Sequence, residues 1–88
     1  MFSRAAALEY GPSGIRVNCV SPGLIDSDGL ADAWPDGVSR WQKQAPLGRL
    51  GTPNDVADAV LFLLSPAARW ISGINLVVDG GMSAKSRW

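Results

Sequence analysis

Eighty-eight residues, 47% hydrophobic and 18% charged, suit one globular unit at most and exclude a disordered tail on composition. Eight basic and eight acidic residues scatter along the chain to a net charge of zero, so no stripe of one sign is present to neutralise a nucleic-acid backbone. Cys19 is the only cysteine and histidine is absent, which excludes an internal disulfide, removes the commonest zinc ligand and general base, and fits a reducing, cytoplasmic setting.

Arg4 to Tyr10, rich in alanine with Leu8 and Glu9, reads as the last turns of a helix that Gly11-Pro12-Ser13-Gly14 stops. It has a stop signal but no cap before Arg4, as though the chain begins within an element. The start shows no basic region followed by a long apolar stretch. The longest apolar run, Ala59 to Leu64, is far too short to cross a bilayer, so neither a secretion signal nor a membrane span is expected. Ile15 to Val20 alternates apolar Ile15, Val17 and Cys19 with polar Arg16 and Asn18 and reads as a strand ended by Ser21-Pro22-Gly23. Arg16 and Asn18 then share one sheet face, as hydrogen-bonded supports under a covering helix.

Residues 24–48 are irregular, with Trp34, Trp41 and a break expected at Pro35-Asp36-Gly37. A connection of this length in a small domain is usually a functional flap with short helices of its own. Its acids, Asp26, Asp28, Asp32 and Asp36, do not match a calcium loop, because Gly29 falls at the fourth position counted from Asp26 and no closing glutamate follows. Trp34 and Trp41 serve either to line a substrate pocket in a closing lid or to anchor the flap on the core. Thr52-Pro53-Asn54-Asp55 is a helix start, with Thr52 as cap, Pro53 in the first turn and Asp55 completing a capping box. Apolar residues then recur from Val56 to Leu64 at spacings of three and four, until Ser65-Pro66 ends the helix. Ile74 to Asp79 reads as a second strand, apolar enough for burial on both faces. Asp79-Gly80-Gly81 is then a turn, in preference to an interface. Two strands joined through a helix predict a parallel crossover unit of an α/β sheet.

The runs Tyr10-Gly11-Pro12-Ser13-Gly14-Ile15-Arg16-Val17-Asn18, Ser21-Pro22-Gly23, Pro46-Leu47-Gly48-Arg49, Gly51-Thr52-Pro53, Asp55-Val56-Ala57 and Val77-Val78-Asp79-Gly80-Gly81 occur in that order. Together they closely resemble the C-terminal half of short-chain dehydrogenases/reductases, from about Ser3 to Ser83. The resemblance implies the C-terminal part of a doubly wound, Rossmann-type parallel sheet over residues 1–88: a helix end, a strand, a substrate-side flap at 24–48, a helix and a last strand. It places the glycine-rich cofactor turn, the catalytic serine and the tyrosine-lysine pair before Met1, so no catalytic residue and no metal ligand is expected among the 88. Tyr10 is not the family tyrosine, since Gly14 stands where the lysine four positions on is needed to lower its proton affinity.

For the cofactor, NAD or NADP, the resemblance implies that Pro22 and Gly23 let the backbone pass close to the nicotinamide ring. It implies that Ile25 offers main-chain groups to the carboxamide and that Ser27 bonds carboxamide or phosphate. The family more often has threonine where Ser27 stands. Ligands of open α/β sheets bind beyond the carboxyl ends of strands, where Pro22 and Gly23 fall. The activity implied is hydride transfer between the nicotinamide and a small carbonyl or alcohol substrate, in a homo-oligomer (dimer or tetramer) without nucleic-acid or membrane partners. This chain alone is expected to be inactive. The rival reading is a non-catalytic interaction module, or a remnant that pairs with an intact homologue. A monomer is expected to be marginal or to aggregate, because one edge of the Ile15 to Val20 strand and much of the 56–64 helix lack cover.

Overall fold

The Thr52 side chain accepts the Asp55 backbone N–H while the Asp55 carboxylate accepts the Thr52 N–H, so the expected capping box is complete and α4 (Pro53–Leu64) begins where the sequence places it. The structure, a computed structural model, describes residues 2–85, with the backbone only of Phe2. Four helices and two strands are seen there in the order α1 (Phe2–Tyr10), β1 (Cys19–Pro22), α2 (Leu30–Ala33), α3 (Pro35–Gln44), α4 and β2 (Asn75–Val78). Single 3-10 turns follow α1, α4 and β2. The tail after β2 is described through Lys85, which is exposed; residues 86–88 lie outside the described residues.

The strands β1 and β2 pair in parallel, with Cys19 opposite Asn75 and Pro22 opposite Val78. Helix α4 packs against both, as a crossover element must. This is an α/β arrangement of the expected order. The first strand differs from expectation, since it forms its ladder only from Cys19 and continues through Pro22. Residues 15–18 are tied instead by side chains and a loop. The Val17 N–H donates to Ser72 Oγ at 3.1 Å, the Arg16 guanidinium and Asn18 amide both donate to the Ile71 carbonyl at 3.1 Å, and Asn18 Oδ1 accepts from the Ile74 N–H at 3.2 Å. Arg16 and Asn18 are thus the hydrogen-bonded supports that the sequence implies. Pro22 is tolerated at the end of the strand because the next ladder bond comes from Gly23, whose N–H donates to the Val78 carbonyl at 2.9 Å.

Two further expectations are corrected. Pro35-Asp36-Gly37 does not break the flap, because Pro35 opens the ten-residue α3. Proline forces the residue before it out of helical space, which separates α2 from α3 at Trp34 (φ −142°, ψ 60°), and then suits a first helical turn. Strand β2 is not buried on both faces: Leu76 and Val78 are half-buried while Asn75 and Val77 are exposed. With one pairing partner and α4 on one side, the sheet as described has a second face with little to cover it. The buried apolar residues are few and mostly small: Val38, Ala45, Leu50, Leu63 and Ala68.

Candidate functional site at the carboxyl end of the sheet

The carboxyl ends of both strands open onto the flap. After Gly23 the chain makes one more parallel bridge, Ile25 to Gly51, in which the Gly51 N–H donates to Leu24 and the Asp26 N–H donates to Gly51. In a parallel bridge the central residue's own amide and carbonyl face the other way, so those of Ile25 point away from Gly51. Ser27 lies on the exposed stretch that follows, its carbonyl accepting from the Leu30 N–H at 3.1 Å ahead of α2.

Gly23 faces Trp41. A Cβ on Gly23 would lie 2.8 Å from the Trp41 ring and 2.8 Å from Asp79 Cβ, so no larger residue fits while the indole stays in place. Trp41 donates its indole N–H to the Arg49 carbonyl at 3.3 Å, which ties α3 to the segment before α4. Arg49 in turn makes a two-point contact with Asp55, at 2.8 and 3.2 Å, and a third bond to the Leu50 carbonyl at 2.9 Å. The Arg49 hydrogen bonds, followed by the backbone and hydroxyl bonds from Thr52, hold the Asp55 carboxyl well below the usual carboxylate range. The same pair, through its hydrogen bond first and its charge second, raises the Arg49 guanidinium. Arg49 is therefore a tied side chain and not a plain surface charge; Arg69, exposed and bonded to the Pro66 carbonyl, is closer to one.

On the other strand end, the Asp79 carboxylate accepts the N–H groups of Gly81 and Ser83 at 3.0 and 2.8 Å. Desolvation pushes this carboxyl up, but the hydrogen bonds from Ser83, Gly81 and Met82 outweigh it and leave Asp79 below its ordinary value. Gly80 and Gly81 adopt positive φ, 64° and 92°, so the turn reading of this triplet explains its glycines.

Two cavities adjoin Gly23, and Trp41 stands between them. The first, about 180 Å³, is lined by Gly23, Trp41, Arg49, Asp55 and Asp79 among others. The second, about 520 Å³, lies between Trp34 and Trp41, with Leu24, Arg40, Gln44 and Met82 around it. The structure thus brings Gly23, Trp34 and Trp41 together, while Pro22, Ile25 and Ser27 line neither cavity. Trp34, 52% exposed, lies over Gly37, where a Cβ would overlap its ring, and lines the second cavity. Sequence reasoning misses Arg40, Arg49 and Met82 as lining residues. Arg49 stands six positions before Asp55, a spacing that matches no helix or strand period, and only the bend into α4 joins the two.

The family model described as Enoyl-(Acyl carrier protein) reductase matches residues 1–83. A short-chain dehydrogenase/reductase structure from Brucella melitensis superposes with TM-score 0.81 at 37% identity, over 92% of this chain and 33% of that one. The chain belongs to the short-chain dehydrogenase/reductase family. Among curated members of that family it is 48% identical, over 85 residues, to the 3-oxoacyl-(acyl-carrier-protein) reductase FabG of Chlamydia muridarum, covering 93% of this chain and 33% of that one. The structure of 4-hydroxyisoleucine dehydrogenase complexed with NADH also matches, with TM-score 0.81 at 34% identity, over 97% of this chain and 34% of that one. This short-chain dehydrogenase/reductase chain spans about a third of the length of the relatives it matches. Its neighbours are proteins of the Rossmann-type fold that the resemblance implies.

Proposed function

We propose that this chain forms the nicotinamide-side wall of an NAD(P)(H)-dependent oxidoreductase site that interconverts a carbonyl and an alcohol. The observation that carries this reading is the bend after β1: beyond Gly23, the backbone amide and carbonyl of Ile25 are turned away from the bridge to Gly51, next to the exposed Ser27. A carboxamide needs one donor and one acceptor, and Ile25 has both to offer. The fit is therefore chemical as well as positional. Pro22 and Gly23 set the direction of this segment, Ile25 holds the carboxamide through its main chain, and the Ser27 hydroxyl bonds carboxamide or phosphate. NAD and NADP share the nicotinamide end that these residues address. When bound, the nicotinamide gives or accepts the hydride. Residues of this chain orient its ring, and Trp34 and Trp41 keep water from one side of the reaction space. The complex of a related dehydrogenase with NADH supports the reading.

By itself the chain holds no tyrosine-lysine pair of the family pattern, and we assign it no turnover. Titration of the isotope-labelled chain with nicotinamide mononucleotide is expected to shift the amide signals of Gly23, Ile25 and Ser27 while leaving those of α1 in place. The same preparation, given NADH or NADPH and a range of ketones, is expected to oxidise neither. Shifts confined to α1, or NADPH turnover lost on Ser27→Ala, would overturn one half of the proposal or the other.

A second reading, association with another copy or an intact homologue, is favoured by the exposed Leu61, Phe62 and Leu64 on α4 and the exposed Val77 on β2. Co-purification with a full-length relative tests it. The single cysteine, Cys19, is unpaired and exposed, which suits a cytoplasmic location. Among the described residues no helix is long and apolar enough to cross a membrane.

A further inference from the structure

The geometry points to the larger cavity as a subsite for an apolar substrate that carries a carboxylate, with Arg40 as the residue that selects the charge. This inference rests on reading residues 24–48 as the substrate-side flap. It adds the chemical class of the ligand, which that reading leaves open.

The two cavities beside Gly23 differ in their charge. In the smaller one the Arg49 guanidinium is already met at two points by Asp55, and Asp79 adds a second carboxylate, so an anion entering there meets no uncompensated positive charge. The larger one has the opposite balance. Arg40 lines it, no acidic residue does, and Arg49–Asp55 is the one salt bridge among the described residues. Asp36 lies one turn earlier on α3 but is not part of the lining. Outside the lining, the Lys85 ammonium donates to both the carbonyl and the side-chain oxygen of Gln44, a lining residue one turn after Arg40 on α3, which adds a second positive charge on that side.

Between these cations and Gly23 the wall is apolar, made by the rings of Trp34 and Trp41 with Leu24 and Met82. A cavity of about 520 Å³ lies within the usual range for small-molecule sites, which are mostly apolar with a few placed polar groups. An apolar body between the indoles and a carboxylate at the guanidinium satisfies both parts of the lining. Guanidinium and carboxylate match as a two-point pair, and an indole wall strengthens the contact by excluding water from one side. A neutral ligand leaves Arg40 with only solvent, and a cationic one meets Arg40 as a like charge.

The test uses the full chain and three probes that share one body: naphthylacetate, its neutral amide naphthylacetamide, and naphthylmethylamine. Binding is followed by the indole N–H signals of Trp34 and Trp41, assigned from Trp→Phe variants, with equilibrium dialysis for affinity. Naphthylacetate is expected to move both signals and to bind about tenfold more tightly than the amide, the difference that a charge-assisted hydrogen bond supplies. Arg40→Gln is expected to abolish that preference while the amide binds as before. Arg40→Glu is expected to reverse the order, so that the amine binds and the acid does not. Equal binding of acid and amide, a preference that survives Arg40→Gln, shifts confined to Trp70, or no binding by any probe each overturns the inference. The nicotinamide mononucleotide titration reports on Ile25 and Ser27 independently, so failure of the subsite and failure of the cofactor reading give different spectra.

Discussion

Thr52 and Asp55 show how much one pair of side chains does here, since Asp55 closes the capping box of α4 and also holds Arg49, whose carbonyl receives the Trp41 indole N–H. Removing the cap oxygen with Thr52→Ala is expected to lower stability by about 1 kcal/mol, measured as the shift of a urea transition followed by helix circular dichroism. The depressed Asp55 carboxyl gives the sign of an acid effect. Asp55 stabilises the fold fully above its ordinary value of 3.8, and this contribution is lost as pH falls below that value towards the lower one it has in the fold. Asp55→Asn is therefore expected to flatten the stability profile below about pH 4 and to leave its slope near neutrality unchanged. Gly23 marks a different kind of constraint. Gly23→Ala places a methyl 2.8 Å from the Trp41 ring, and is expected to cost about 1 to 3 kcal/mol and to shift the Trp41 indole N–H signal as the ring gives way. At Gly51 the nearest atom is the far end of the Ile25 side chain, which moves easily, so Gly51→Ala should be milder.

Among the elements, α4 is the one most fully legible in the sequence, because its start and stop are local: a Thr-Pro-x-Asp cap, an apolar period, and Ser65-Pro66. The order and parallel pairing of the strands follow from the intervening helix. The true start of β1 does not, since an alternating pattern describes any extended chain with two faces, and Ile15 to Asn18 is extended against a loop that only the tertiary fold supplies. Pro35 is misread for a similar reason: proline ends one helix and begins the next equally well. Of the candidate site, Gly23 is named by the family pattern and both flap tryptophans by their bulk in an irregular stretch, and these three line the larger cavity. Arg40 and Arg49 are not readable in this way, because nothing near them in sequence distinguishes a lining cation from a solvated one. The exposure of Leu64 at 72% and Leu61 at 63% carries its own expectation. A Leu61→Glu, Leu64→Glu pair should raise the concentration of monomer that stays in solution, with helix content unchanged, as judged by sedimentation and circular dichroism.

The 88-residue chain is loose for its length. Its radius of gyration is 15.8 Å where a compact chain of this size has about 12 Å, and its accessible surface is 6545 Å² where about 5,000 Å² is usual. No large side chain is fully buried among the described residues. A thermal transition of the dilute chain is therefore expected to be broad, with dye binding to apolar surface below its midpoint; a sharp two-state transition would contradict this. The parallel pairing also constrains how such a molecule is made. Contacts that seat β1 against β2, such as the Ile74 N–H on Asn18, join residues 56 positions apart, and closing so long a loop must precede any gain from the ladder. During synthesis, then, β1 leaves the ribosome well before β2 exists, and this ladder waits until residues 75–78 have been translated.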